Sequence, residues 1–243
     1  MKSRSILFVL LLASALTADA QSDLGSQFVQ NTFADLIPAQ GSHIYPGSFL
    51  PQMQRQVDTR GSRFLFNNWV SGIVTDTGNH TVDNPAYLYN YDKIDKSLLL
   101  TLDKRTVLEI NYDAIKSVIL DSGVRKVEFE SLPSIENGHL VECLAKGSRY
   151  CLYKALKTKF VRSDYFSDGL VERGDPDNCY VDEATYYVFN KESGEMRLVV
   201  LKKKVLKEVF AREKPKLNGY FSQHKDEETG EEYLQGLVEF LNQ

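Results

Sequence analysis

Tyr87, Tyr89 and Tyr91 alternate with other residues, and Leu98, Leu100 and Leu102 do the same a few positions on. A period of two places every second side chain on one face of an extended strand, a pattern no helix can use. Similar short runs recur from Arg63 to Leu201. They include Phe64-Leu65-Phe66, Trp69-Val70, Gly72-Ile73-Val74, Val107 to Ile110, Ser117 to Leu120 and Val124 to Phe129. Polar turns such as Thr77-Gly78-Asn79 and Asp103-Lys104-Arg105 separate them, and Tyr112 to Ile115 fits a single helical turn. Short strands at near-even spacing predict an antiparallel meander, or a partly open barrel or sandwich. Leu140 to Ala145 and Tyr150 to Leu156 predict a hairpin around Gly147. Thr185 to Phe189 and Met196 to Leu201 predict another around Lys191-Glu192-Ser193-Gly194. The acidic stretch 163–183 between these hairpins is expected to be loop.

The two ends read differently. Lys2 and Arg4, the apolar run Ile6 to Leu16, and Ala18-x-Ala20 before Gln21 have the layout of a cleavable export signal over residues 1–20. The apolar run is shorter than the ~20 residues a spanning helix needs. No transmembrane segment is expected after cleavage, and no cysteine follows the run to carry a lipid. The mature chain is therefore expected to be secreted or periplasmic. Residues 21–62 form a loosely structured arm broken by Pro38, Pro46 and Pro51, with a possible short helix from Phe28 to Leu36. At the other end, Val205, Leu206, Val209 and Phe210 line a helix. Pro215 opens a second helix, and Thr229 with Glu232 forms a capping box for a third whose apolar face is Tyr233, Leu234, Leu237, Val238 and Leu241.

Phe66-Asn67-Asn68-Trp69-Val70-Ser71-Gly72-Ile73-Val74, Tyr87 to Asp92, Leu201 to Leu206 and the final Leu237 to Asn242 resemble passages of a group of exported Bacteroidetes proteins. No activity is assigned to that group, so the resemblance implies export and a β-rich-then-helical order, and transfers no site residue.

Candidate sites follow from side-chain chemistry. Hard cations need several oxygens on one loop, and Asp175, Asp177, Asp182 and Glu183 are the best such set. Tyr180 and Tyr186 fall where a helix–loop–helix calcium site requires glycine and glutamate, so a solvated acidic loop is the default. His139 and Cys143 can share a strand face, but zinc needs two further ligands. Cys143 and Cys151 flank the Gly147 turn, and if they lie directly opposite each other a disulfide is available in an oxidising compartment. No Gly-x-Ser-x-Gly elbow or phosphate-cradling loop is present. Lys202, Lys203, Lys204, Lys207, Arg212, Lys214 and Lys216 make a basic stripe, read as a solvated helix face balanced by the acids of 226–232. Asn79-His80-Thr81 matches the glycosylation pattern, which is incidental in a bacterial protein. Trp69 with Tyr87, Tyr89, Tyr91 and Tyr112 could line a carbohydrate- or peptide-binding face.

The chain carries 29 Lys and Arg against 33 Asp and Glu, a net charge of −4, and loss of Lys2, Arg4 and Asp19 with the signal moves it to −5. That balance argues against nucleic acid as a partner. The expected architecture is α+β: a β-rich body over 63–201 with a C-terminal helical hairpin over 202–243 packed on it. The expected role is a non-enzymatic cell-envelope protein without cofactor, binding an unknown protein or envelope component. The alternatives are a hydrolase using scattered carboxylates, or a small-ligand-binding barrel-like domain.

Overall fold

The computed structural model describes residues 59–167 and 170–243. The export signal at 1–20, the helix expected from Phe28 to Leu36 and most of the arm lie outside the described residues. Strand pairing starts upstream of Arg63, at β1 (Thr59–Arg60). It continues through β2 (Ser71–Asp76), β3 (Thr81–Asp83), β4 (Leu88–Asp92), β5 (Ser97–Thr101), β6 (Leu108–Ile110), β7 (Ile115–Asp121) and β8 (Lys126–Ser131). Then come β9 (Leu140–Lys146), β10 (Tyr150–Val161), β11 (Phe166–Ser167), β12 (Glu172–Arg173), β13 (Asn178–Asn190) and β14 (Glu195–Val199). Three helices close the chain: α1 (Lys203–Val209), α2 (Lys214–Gln223) and α3 (Glu231–Leu241).

Among the described residues, nine strands form one open sheet in the order β3-β2-β7-β8-β9-β10-β13-β1, with β14 also on β13. Every pairing in it is antiparallel except β1 with β13. A separate three-stranded sheet, β4-β5-β6, packs on it. The fold is thus a β-rich α+β architecture of open sheets with helices at the C-terminus, as the strand spacing predicts.

Both covering layers lie side by side on one face of the large sheet. Period two puts Leu140 and Glu142 of β9 on one face, Lys154 opposes Glu142, and Leu152 follows on the same side. Leu140 belongs to the core shared with the small sheet, together with Val74, Val118, Leu120, Phe129, Tyr89 and Leu98. Leu152 belongs to the core under the helices, with Val188, Leu206, Phe210, Leu234 and Leu237. The other face carries Val141, Cys143, Cys151, Tyr153 and Ala155 in a smaller cluster with Ile135.

Three details differ from expectation. Residues 178–183 are strand, not loop: β10 and β13 run past β9 and β14 and pair with each other as a projecting arm. Helix α3 takes Gly230 as its N-cap, which has no side chain to bond the first turn. The expected Thr229–Glu232 box does not form because the cap falls one residue later, and Glu231 in the first turn bonds Lys154 and the Tyr186 hydroxyl. Finally, Tyr87, Tyr89 and Tyr91 do not form a surface; all are buried between the two sheets.

Among the described residues, the hydroxyl of Tyr89 is buried there without a hydrogen-bond partner. Desolvating a hydroxyl without compensation costs about 1–3 kcal/mol. Tyr89→Phe is therefore expected to raise stability by about 1 kcal/mol, seen as a higher urea midpoint at unchanged slope.

Candidate functional site

The acidic residues singled out for metal binding are not gathered. Arg60 takes both Asp175 and Asp177, the latter at 3.3 Å. Asp182 accepts from Lys93 Nζ at 2.7 and 2.9 Å and from the Thr158 hydroxyl at 2.6 Å. Glu183 points to the opposite face of β13, where the bond from Lys159 at 2.6 Å holds its carboxyl below the usual range. Among the described residues no group of three or more His, Cys, Asp or Glu is placed to hold a metal ion. His139 stacks on Tyr112 at 4.3 Å between ring centres, apart from the Cys143 cluster.

The cysteines are thiols in this structure. The register differs from the one that sets them face to face. A bulge between Leu152 and Tyr153 places Cys143 opposite Tyr153, while Cys151 opposes Lys146. Burial pushes the Cys143 thiol from 9.0 up to about 12, with the charges of Glu130 and Glu128 adding to the rise. Above pH ~9 the unfolded chain loses this proton while the folded chain keeps it, so the folded state binds more protons and stability falls with rising pH. The decline should run from about pH 9 to about pH 12. Urea unfolding across that window is expected to be less pH-dependent in Cys143→Ala.

The basic stripe is partly engaged in packing. The Lys203 ammonium lies 5.5 Å from the Tyr233 ring centre and Lys207 5.7 Å from that of Phe221. Asn79 sits in its turn at φ 65° and accepts from Lys116.

Two concave regions contain polar side chains of different character. The first, about 270 Å³, lies at the seam between the small sheet and the helices. Its charges neutralise one another: Glu142 lies 3.0 Å from both Arg125 and Lys154, Lys154 reaches Glu231 at 3.1 Å, and Lys93 holds Asp182. This arrangement fastens the two covering layers to the sheet.

The second, about 380 Å³, is lined by Asn67, Asn68, Trp69, Ser71, Asp121 and Ser122. Its walls are the segment entering β2 and the turn between β7 and β8. The fold holds both firmly. Asn90, fully buried on β4, donates to the Phe66 and Asn68 carbonyls at 2.8 and 3.3 Å and accepts from the Phe66 amide at 3.2 Å. Val70 and Tyr89 exchange backbone hydrogen bonds at 2.8 and 3.0 Å. Across the cleft, the Ser71 hydroxyl donates to the Asp121 carbonyl at 3.0 Å, and the Asp121 carboxylate accepts from the Gly123 amide at 2.7 Å. Trp69 is half-buried against Phe64, Leu99 and Val107.

In contrast to the seam, this cleft keeps unused capacity. The exposed Asn67 and Asn68 side chains make no hydrogen bond among the described residues, and Asp121 joins no ion pair there. A volume of this size lies within the ~300–1,000 Å³ typical of small-molecule sites. Asn90→Ala would leave buried backbone groups without partners and release the segment, at a cost of about 1–3 kcal/mol. Faster amide hydrogen exchange over residues 66–70 is the expected signature.

No family model, curated protein or solved structure matches this chain. The cleft residues other than Trp69 escaped sequence reasoning as site candidates. The signal available was the pair Asn67-Asn68 beside the only tryptophan of the chain.

Proposed function

We propose that the protein is an exported, non-enzymatic binding protein of the cell envelope, with its ligand site in the cleft at Trp69. The observation that carries this reading is the set of polar groups with unused bonding capacity among the described residues, the Asn67 and Asn68 side chains and the unneutralised Asp121 carboxylate, beside the half-buried Trp69 on a pinned backbone. A pinned backbone reduces the ordering that binding must supply, which favours a ligand over water at side chains with unused hydrogen-bonding capacity. Export rests on the signal layout of residues 1–20 and on the likeness to exported Bacteroidetes proteins.

Trp69 is the sole tryptophan, so its emission reports on this cleft alone. Full-length protein titrated with soluble fractions of the producing organism's envelope is expected to show a saturable emission change that Asn90→Ala weakens. Absence of any change across all fractions would end this reading. Release of cleaved products from an envelope polymer, abolished by Glu142→Gln or Asp182→Asn, would favour the rival hydrolase. N-terminal sequencing of protein recovered outside the cytoplasm is expected to begin at Gln21.

A further inference from the structure

Resting on that binding reading, we infer that the Trp69 cleft takes an uncharged saccharide ring. Trp69, half-buried on Phe64, Leu99 and Val107, is among the residues lining the cleft, and an indole is a flat apolar platform with a donor at its edge. Asn67 and Asn68 each bring a donor and an acceptor on one planar group, which matches hydroxyls that both donate and accept. A sugar ring has the complementary shape, an apolar C–H face bordered by hydroxyls. Asp121 is the one charged group lining the cleft, and no cation neutralises it among the described residues. Its carboxylate accepts from a hydroxyl and repels a phosphate or uronate.

An extended peptide suits the site less well. β2 is paired along its length with β7 and at Ile73–Thr75 with β3, and the Val70–Tyr89 bridge occupies the chain just before it, so little free strand edge borders the cleft. The backbone groups of Phe66 and Val70 and the Asn68 carbonyl are already bonded to Asn90 and Tyr89. Peptide addition to a sheet draws its affinity from an unbroken run of main-chain bonds, and that run is interrupted here.

The test titrates the full-length protein with chitotriose, cellotriose and mannotriose, and with trigalacturonate as an anionic ligand of the same size. At least one neutral trisaccharide is expected to change Trp69 emission saturably at millimolar concentration or below. Trigalacturonate is expected to bind more weakly, and Asp121→Asn to narrow the gap. The Asn67→Ala/Asn68→Ala double variant exposes no core, and calorimetry should show binding about tenfold weaker at unchanged Tm. Trp69→Phe should retain part of the affinity, whereas Trp69→Ala also loses packing on Phe64 and Leu99. No emission change with any neutral trisaccharide, or undiminished binding by the double asparagine variant, overturns the inference. If the sugars are silent but a glycan-free envelope fraction changes the emission, the saccharide is wrong while the binding reading stands; silence of both removes both.

Discussion

Lys154→Ala is expected to lower the free energy of unfolding by about 2–3 kcal/mol. The Lys154 and Glu142 side chains are only 10% and 9% exposed, and they face each other on adjacent strands at the seam. Removing the ammonium leaves Glu142 with Arg125 alone, itself half exposed, and deprives Glu231 of its cation at the start of α3. A buried carboxylate left with one exposed partner is costly because water cannot replace the lost ammonium. Chemical denaturation of single and double variants separates charge from packing. Glu142→Leu combined with Lys154→Met restores apolar volume without a lone charge and is expected to recover most of the loss. A double variant as unstable as Lys154→Ala would show that the loss comes from disturbed packing and not from the stranded charge.

Gly147→Ala is expected to cost about 2–4 kcal/mol. A Cβ at Gly147 would lie 2.0 Å from Cγ of Asn242, so the methyl group expels that side chain. Asn242 ties the end of α3 to the β9–β10 turn. Its Oδ1 accepts from the Arg149 and Tyr150 amides at 3.0 and 2.9 Å, and its Nδ2 donates to the Tyr150 carbonyl at 3.0 Å. Asn242→Ala breaks the same contacts and should cost a comparable amount. In an Asn242→Ala background Gly147→Ala should be nearly silent, the non-additivity expected of residues in one contact. Additive losses in the double variant would refute the lock.

The resemblance of the two hairpins to their sequence signals is close where one face is buried. β4 and β5 are recognisable because Tyr89, Tyr91, Leu98 and Leu100 all enter the core between the sheets. α3 is equally plain, since Tyr233, Leu234, Leu237, Val238 and Leu241 all pack inward. The first half of β13 lacks such a signal. Around 179–183 the strand is covered by little on either face, so Asp182, Glu183 and Val181 follow one another without periodicity. The register of a hairpin turn and a bulge likewise cannot be read from residue types, and here the turn pairs Cys151 with Lys146 while the bulge sets Cys143 opposite Tyr153.

For the candidate site, sequence chemistry picked out aromatic residues but could not sort them. Tyr89 and Trp69 have similar local patterns; pairing sends the tyrosine inward and leaves the indole at a cleft mouth. Asn67 and Asp121 are distant in sequence and meet only because β2 pairs with β7. The strand-rich middle, the helical end and their apolar faces are written locally in the residue order, because burial imposes periods of two and 3.6. Which carboxylates are neutralised, which cysteines share a register and which polar groups keep unused bonds were decided by the tertiary structure alone. Those properties depend on partners that strand pairing brings from far along the chain.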